Sequence, residues 1–434
     1  MQTPESRWWI VAALSLLLTV PVQAQTQERT ITLQETIDLA LQTDPLAVAA
    51  ATDLATAEAD QLVARGSWLP QLTLTSGYSK SSQARVNRST GLLSSESYSA
   101  GAQASIVLFA GGERIAQNRA ANARVVASSA EYRAQTFETI LGATEAFYEA
   151  AAARHLSALA EQRRVRAEQQ LAFAKTRLEL GTATTSDVLR AEIELGNAEL
   201  AVLDAAASFR TATLNLGRWV GVAGGVQPVA EALPERAPEL PDRAILVESA
   251  LRSSPLVVAS EAELKGVEAD RWTGYSAYLP VVELIGGYDW SSAEFPPDRR
   301  SWNVSLAASL PLFDQFRREA AVKRDAALLR LARARSRDAR IAIQASVESA
   351  LQEVLSAEQR VEVSKRASEL AREDLRVLEE RYQADAATIL DLQASQVALT
   401  ESEIAAVRAR QALGTALAEL ETVLGRKLEE IGDE

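Results

Sequence analysis

The feature that most restricts this chain is that it is written twice. Thr43-Asp44-Pro45-Leu46 returns as Ser253-Ser254-Pro255-Leu256, Leu69-Pro70 as Leu279-Pro280 and Gly77-Tyr78 as Gly287-Tyr288, all at one constant spacing. At a slightly shorter spacing, Leu108-Phe109 returns as Leu312-Phe313, and the run from Arg177 through Ala183 to Asp187 returns as Arg381 through Ala387 to Asp391. The second copy has therefore lost a few residues between Tyr288 and Leu312, where an exposed loop is expected. A repeat this long is a duplicated half-molecule rather than a short solenoid unit.

Each half has the same order of parts. Residues 33–66 and 242–275 read as helices, with Thr32 as N-cap of the first and Pro241-Asp242 opening the second. Both end near Leu-Pro. Period-two segments follow, the mark of strands with two unlike faces. The clearest is 301–310, where Trp302, Val304, Leu306, Ala308 and Leu310 alternate with Ser301, Asn303, Ser305, Ala307 and Ser309. Val282, Leu284, Tyr288 and Trp290 alternate with Glu283 and Asp289, and Leu72 and Leu74 with Thr73 and Thr75. The fourth strand, about 99–109, sets Gln103, Ser105 and Val107 against Ala102, Ala104 and Ile106. Polar stretches at 81–98 and 292–300 suit exposed loops.

Helix resumes after LFAGGERI and after LPLFDQFRRE and runs, with no proline and very little glycine, over about 112–180 and 316–383. At ~1.5 Å per residue each run reaches roughly 100 Å, wider than a globular core. Gly181-Thr182-Ala183-Thr184 and Asp385-Ala386-Ala387-Thr388 turn the chain back into further helices. The region 221–241 is a glycine- and proline-rich linker.

Arg7, the apolar run Trp8–Val20 and small residues Val22 and Ala24 make residues 1–24 an expected signal peptide. Residue 25 is Gln, not Cys, so no acylated N-terminus is expected. The layout is then a first repeat over 25–220, a linker over 221–241, a second repeat over 242–426 and a tail over 427–434.

Beyond the signal no apolar stretch approaches the ~20 residues of a membrane-spanning helix, so only closed β-structure could cross a bilayer. Four strands cannot close around a lumen, and open edges are not tolerated in hydrocarbon, so several copies must share one barrel. Three copies supply twelve strands, an even number within the known range. Tyr78, Tyr288, Trp290 and Trp302 lie near strand ends, where aromatic rings suit the lipid interface. In 321–380, Leu328, Leu331, Ile341, Leu351, Leu355 and Val361 are diluted by many alanines. That pattern alone fits an ordinary coiled-coil bundle equally well; the paired strands favour a helical tunnel that continues a barrel.

Composition excludes other classes. The balance of 45 Lys and Arg against 58 Asp and Glu gives −13, which argues against a nucleic-acid partner. There is no cysteine to form a disulfide or complete a metal site. His155 is the one histidine and lies at helical spacing with Tyr148, Ala152 and Leu159, the pattern of a packing residue. No G-x-S-x-G turn occurs, and LFAGGERI and VGVAGG are turns rather than phosphate loops. Arg163-Arg164 and Arg317-Arg318 read as solvated helix faces, the latter near the strand-to-helix junction. Neither a catalytic centre nor a cofactor is expected.

Taken in order, the helix ending in Leu-Pro, the strand to Gly-Tyr, the LFAGGERI and PLFDQFRREAAV junctions and the RLELGTATTSDVLRAE and RYQADAATILDLQASQ turns resemble the TolC-like outer-membrane efflux family across nearly all of the mature chain. The resemblance implies an α+β membrane protein: a homotrimer whose four strands per chain form a 12-stranded β-barrel in the outer membrane, above a long periplasmic α-helical barrel girdled by the linker and the C-terminal segment. It implies a passive conduit that works with a periplasmic membrane-fusion adaptor and an inner-membrane transporter to export drugs, metals or proteins. It also implies a constriction at the periplasmic end. Asp391 falls on one aspartate position of an acidic ring there, whereas the second position is Ala394. The other reading of Asp391 is a helix N-terminal charge favoured by the dipole. Asp187 and Tyr382 match positions that hydrogen-bond between helices in the closed family state, and a neighbouring arginine of some members is Ala387 here. The competing architecture is a periplasmic coiled-coil adaptor with no barrel of its own.

Overall fold

The computed structural model describes residues 30–86, 93–229, 233–384 and 386–432. The expected signal peptide lies outside these residues, as do the middle of the 81–98 stretch and the last two residues of the tail. In chain order the elements are β1 (Thr30–Ile31), α1 (Leu33–Thr43), α2 (Pro45–Gly66), β2 (Gln71–Val86), β3 (Leu93–Ala110), α3 (Glu113–Glu179) and α4 (Thr185–Trp219). Then come β4 (Gln227–Pro228), α5 (Arg243–Ser253), α6 (Pro255–Ser276), β5 (Val281–Ser292), β6 (Arg299–Ser309), α7 (Arg317–Gln383), α8 (Ile389–Leu424) and α9 (Leu428–Gly432).

Two differences from the sequence reading have local causes. Each expected first helix is split in two, because a residue before proline is pushed out of the helical region. Asp44 stands at φ −68°, ψ 119°, and Ser254 at φ −58°, ψ 127°. Asp44 then caps α2 by accepting the Leu46 N–H at 3.1 Å. Second, β2 and β3 run into the stretch read as a loop, with Lys80 still opposite Glu96. Ladder pairing satisfies main-chain groups whatever the side chains, so strands continue beyond the apolar pattern. Thr32 caps α1 as expected, its hydroxyl accepting the Glu35 N–H at 3.3 Å.

The larger sheet is antiparallel in the order β2-β3-β5-β6. Beside it α2, α3, α6 and α7 stand side by side, and towards the far end α4, α3, α8 and α7 do the same. The wall is one helix thick, so cores are small. One gathers Leu246, Val347, Val354, Leu413, Leu420 and Leu424. Another gathers Ile31, Phe147, Leu216, Val220 and Val226, where β1 pairs with β4 of the linker. A third joins Leu375, Tyr382, Ile389, Leu392 and Leu399 at the far turn. No helix among the described residues is long and apolar enough to cross a membrane.

Candidate channel wall and constriction

The register separates the two faces of the sheet. Leu74, Ala102, Tyr288 and Trp302 stand in one cross-strand row, and Leu72, Ala104, Gly286 and Val304 in the next row on that face. Between them Thr73, Gln103, Gly287 and Asn303 occupy the opposite face. Side chains alternate across a strand, so across these rows one face is apolar and the other polar. Leu72 is 77% exposed, Leu74 81% and Val304 66%, so nothing in a single chain covers the apolar face. Tyr78, Tyr288, Trp290 and Trp302 all fall on it, with Tyr288 and Trp290 rings 4.7 Å apart and Tyr78 and Tyr98 5.0 Å apart.

A second aromatic group at the helical end of the sheet escaped the sequence reading. Trp68, Trp272, Tyr278, Phe313 and Phe316 are all exposed there. Trp272 lies in the last turns of α6 and the others in the turns that join helix and sheet, all outside the period-two pattern, which is why alternation does not find them. Two are held by arginines at equivalent points of the repeat. The Arg114 guanidinium stacks 4.5 Å from the Trp68 ring centre and donates to the Leu108 carbonyl at 3.1 Å. That of Arg318 stacks 4.7 Å from Tyr278 and donates to the Leu312 carbonyl at 3.3 Å. Arg318 is thus a clasp between strand and helix, not the solvated surface residue expected. The LFAGG turn needs its glycines, since Gly111 and Gly112 have φ of +59° and +83°.

At the far end the two hairpin turns are built alike. Thr184 caps α4: Asp187 Oδ2 accepts the Thr184 N–H and hydroxyl, each at 2.8 Å, and the Asp187 N–H returns a bond to Thr184 Oγ1 at 3.3 Å. Thr388 and Asp391 repeat this box on α8 at 3.0, 2.7 and 3.3 Å. These bonds hold both carboxyls below the usual aspartate range, chiefly the Thr184 main-chain N–H for Asp187 and the Thr388 hydroxyl for Asp391. Asp391 remains exposed, and Ala394 beside it adds no charge.

Tyr382 is only 6% exposed, and burial raises its hydroxyl pKa. The implied bond from Asp187 to Tyr382 is not the contact made. The Asp187 carboxylate is turned to its own helix cap, and Tyr382 is met instead by Arg177, 5.0 Å over its ring. His155 is half-buried and its pKa is lowered by burial, then by Arg410 and Arg154, consistent with a packing residue. Among the described residues no cluster of His, Cys, Asp or Glu could hold a metal ion.

A four-stranded sheet bare on its apolar face, continued by helices about 100 Å long, defines the class: a channel-forming chain of a bacterial outer membrane. The "Outer membrane efflux protein" family matches residues 36–222 and 246–426, and the chain belongs to that family. It is 29% identical over 321 residues to Protein CyaE of Bordetella pertussis, covering 69% of this chain and 66% of CyaE, just short of two thirds of that relative's length. It is 24% identical over 365 residues to the outer membrane efflux protein BepC of Brucella suis, covering 81% of this chain and 77% of BepC. In fold it is similar to a membrane protein from Pseudomonas aeruginosa at a TM-score of 0.79 with 21% identity, covering 91% of this chain and 90% of the other. By its family, then, this chain is an outer-membrane efflux protein.

Proposed function

We propose that three copies of this chain close a 12-stranded barrel and the helical tunnel beneath it, forming the exit duct of an export assembly. A periplasmic adaptor would join the tunnel to an inner-membrane transporter, so that small molecules such as drugs or metals, or proteins, leave the cell. One observation carries the reading: the chain is open along the same two sides from end to end. β2 and β6 are the sheet's edges; on the β2 side lie α2 and α4, and on the β6 side lies α7. An unpaired strand edge in hydrocarbon leaves each main-chain group at a cost of several kcal/mol. The flanking helices also carry exposed apolar side chains, Leu62 and Val63 on α2, Ile193, Leu200 and Leu203 on α4, and Ile341 and Leu370 on α7. Joining one copy's β6 side to the next copy's β2 side answers both needs, and rotation closes the ring.

In this reading the far turns form the constriction, with Tyr382 packed inside its wall and Asp187 shaping the neighbouring turn. Three exposed Asp391 carboxylates would favour cations at close range. The test is electrophoresis with and without boiling, combined with recording from planar bilayers. A heat-labile species of three chains that conducts ions is expected, and Asp391→Asn should lower its cation-over-anion preference, read as a shift in reversal potential. A water-soluble monomer without conductance would end this reading and leave the adaptor architecture.

A further inference from the structure

Between the two halves of the repeat, next to the sheet, the wall carries a groove that the channel reading leaves unused. It lies between the first turns of α3 and the last turns of α6, encloses about 810 Å³ and is walled by Gly112, Ile115, Ala123, Val126, Ala262 and Trp272. Ile115, Val126 and Trp272 are about half exposed, and the Trp272 indole is fixed across the sheet-side end by donating from Nε1 to the Gly111 carbonyl at 3.2 Å. Two exposed cations, Arg119 and Lys265, also line it, and among the described residues neither has an ion pair or a hydrogen bond. Glu268 on the same wall is paired with Arg333 at 3.2 Å, and Asn122 accepts from Gln61 at 2.7 Å. Arg124 and Asp270, each five residues further along its helix and so turned about 140° away, bond each other at 3.4 Å on the other side of the wall. The groove side is left with two uncompensated positive charges.

We propose that this groove seats one anionic phospholipid of the surrounding membrane, its phosphate drawn to Arg119 and Lys265 and its acyl chains laid against Ile115 and Trp272. This rests on the channel reading above and adds a membrane ligand to it. Position sets the class of occupant. Arg119 is seven residues past Gly112 and Lys265 seven before Trp272, so at ~1.5 Å per residue both cations stand roughly 10 Å from the end of the sheet. With the sheet ending at the edge of the hydrocarbon, that is close to the depth of the headgroups, which add about 5–8 Å to each side of a bilayer. Trp272 belongs to the exposed aromatic set at this level, where such rings favour the interface. Charge agrees with position: two unpaired cations beside apolar walls complement a ligand that is anionic at one end and apolar at the other, whereas an anion without a tail would leave Ile115, Val126 and Trp272 in water. Neighbouring copies leave the groove open, because α3 and α6 are the inner two of α2, α3, α6 and α7, and copies join at the β2 and β6 sides.

Native mass spectrometry of the purified full-length protein tests this, with phosphatidylglycerol, zwitterionic phosphatidylcholine and tail-less glycerol phosphate as added probes. One phosphatidylglycerol per chain is expected to stay bound, against little phosphatidylcholine and no glycerol phosphate. Arg119→Gln and Lys265→Gln should each weaken retention about fivefold and the two together about thirtyfold, while Arg124→Gln on the opposite side leaves it unchanged. Equal retention of the two lipids would overturn the proposal, as would full retention by the double variant or a loss as large in Arg124→Gln. Glycerol phosphate bound as firmly as the lipid would also overturn it, marking a plain anion site. Should the double variant fail to assemble, the single ones decide: unchanged retention refutes the site, and a loss in both supports it. A conducting trimer of the unsubstituted chain that keeps no phosphatidylglycerol refutes the lipid site alone, whereas a chain that neither assembles nor conducts refutes the exit duct and the site with it.

Discussion

At the scale of single residues, the hairpin turns owe their shape to two threonines. Each cap is worth about 0.5–2 kcal/mol, so Thr184→Ala and Thr388→Ala should fray the first turns of α4 and α8. Faster tryptic cleavage at Arg190 in the Thr184→Ala protein would report it. Because the capped carboxyls have lowered pKa values, their contribution is present above the unfolded value of about 4 and is lost as pH falls through the folded one. Glu421 has the opposite sign. Burial raises its pKa although it accepts the Leu428 N–H at 3.0 Å, so its charge opposes folding once pH rises through the folded value. Glu421→Gln should raise the melting temperature near pH 7–8, with the gain vanishing towards about pH 4. Gly217 is required by close approach: a Cβ there would lie 1.9 Å from the Gly224 carbonyl oxygen, so Gly217→Ala should cost about 1–3 kcal/mol in thermal or denaturant unfolding. Asp187 and Asp391 stood out in the sequence because the repeat sets them at matching points. Arg177 was visible only as part of that match, since the Tyr382 carbonyl to which it donates is 205 positions away and no local pattern encodes it.

At the scale of elements, most of the architecture was legible. Alternation in 301–310 and in the 280s marks strands, and long runs free of proline mark α3 and α7. Helix breaks at Asp44 and Ser254 were also encoded, in the prolines that follow, and the helical period simply outweighed them. Where β2 and β3 end could not be read, because beyond Tyr78 the alternation lapses while pairing continues, with Lys80 opposite Glu96 and Arg85 opposite Ser94. The two faces of β6 give a sharp expectation. Val304→Arg points a charge at lipid and should cost ~2–4 kcal/mol if it lies at mid-bilayer, whereas Asn303→Arg on the polar face should be tolerated. Trimer recovered from outer membranes measures both. Arg114→Ala with Arg318→Ala removes both clasps between sheet and helices, and should lower the temperature at which the heat-labile species dissociates.

For the whole molecule, the duplication explains why the open sides match. Each half supplies one outer strand, and the halves stand side by side, so the chain ends in two borders, one from each half. α3 and α7 pass without interruption from the sheet to the far turns, 67 residues each. Each begins after a left-handed turn, at Gly111-Gly112 and at Gln315-Phe316, and is unbroken from there to its last residue. The shorter helices are mounted otherwise: α4 is followed after Val220 by Gly221 and α8 directly by Gly425, at left-handed φ of +73° and +65°. Each shorter helix is thus rooted in a tight left-handed turn at its sheet-side end, whereas its long partner runs on past that level towards the sheet.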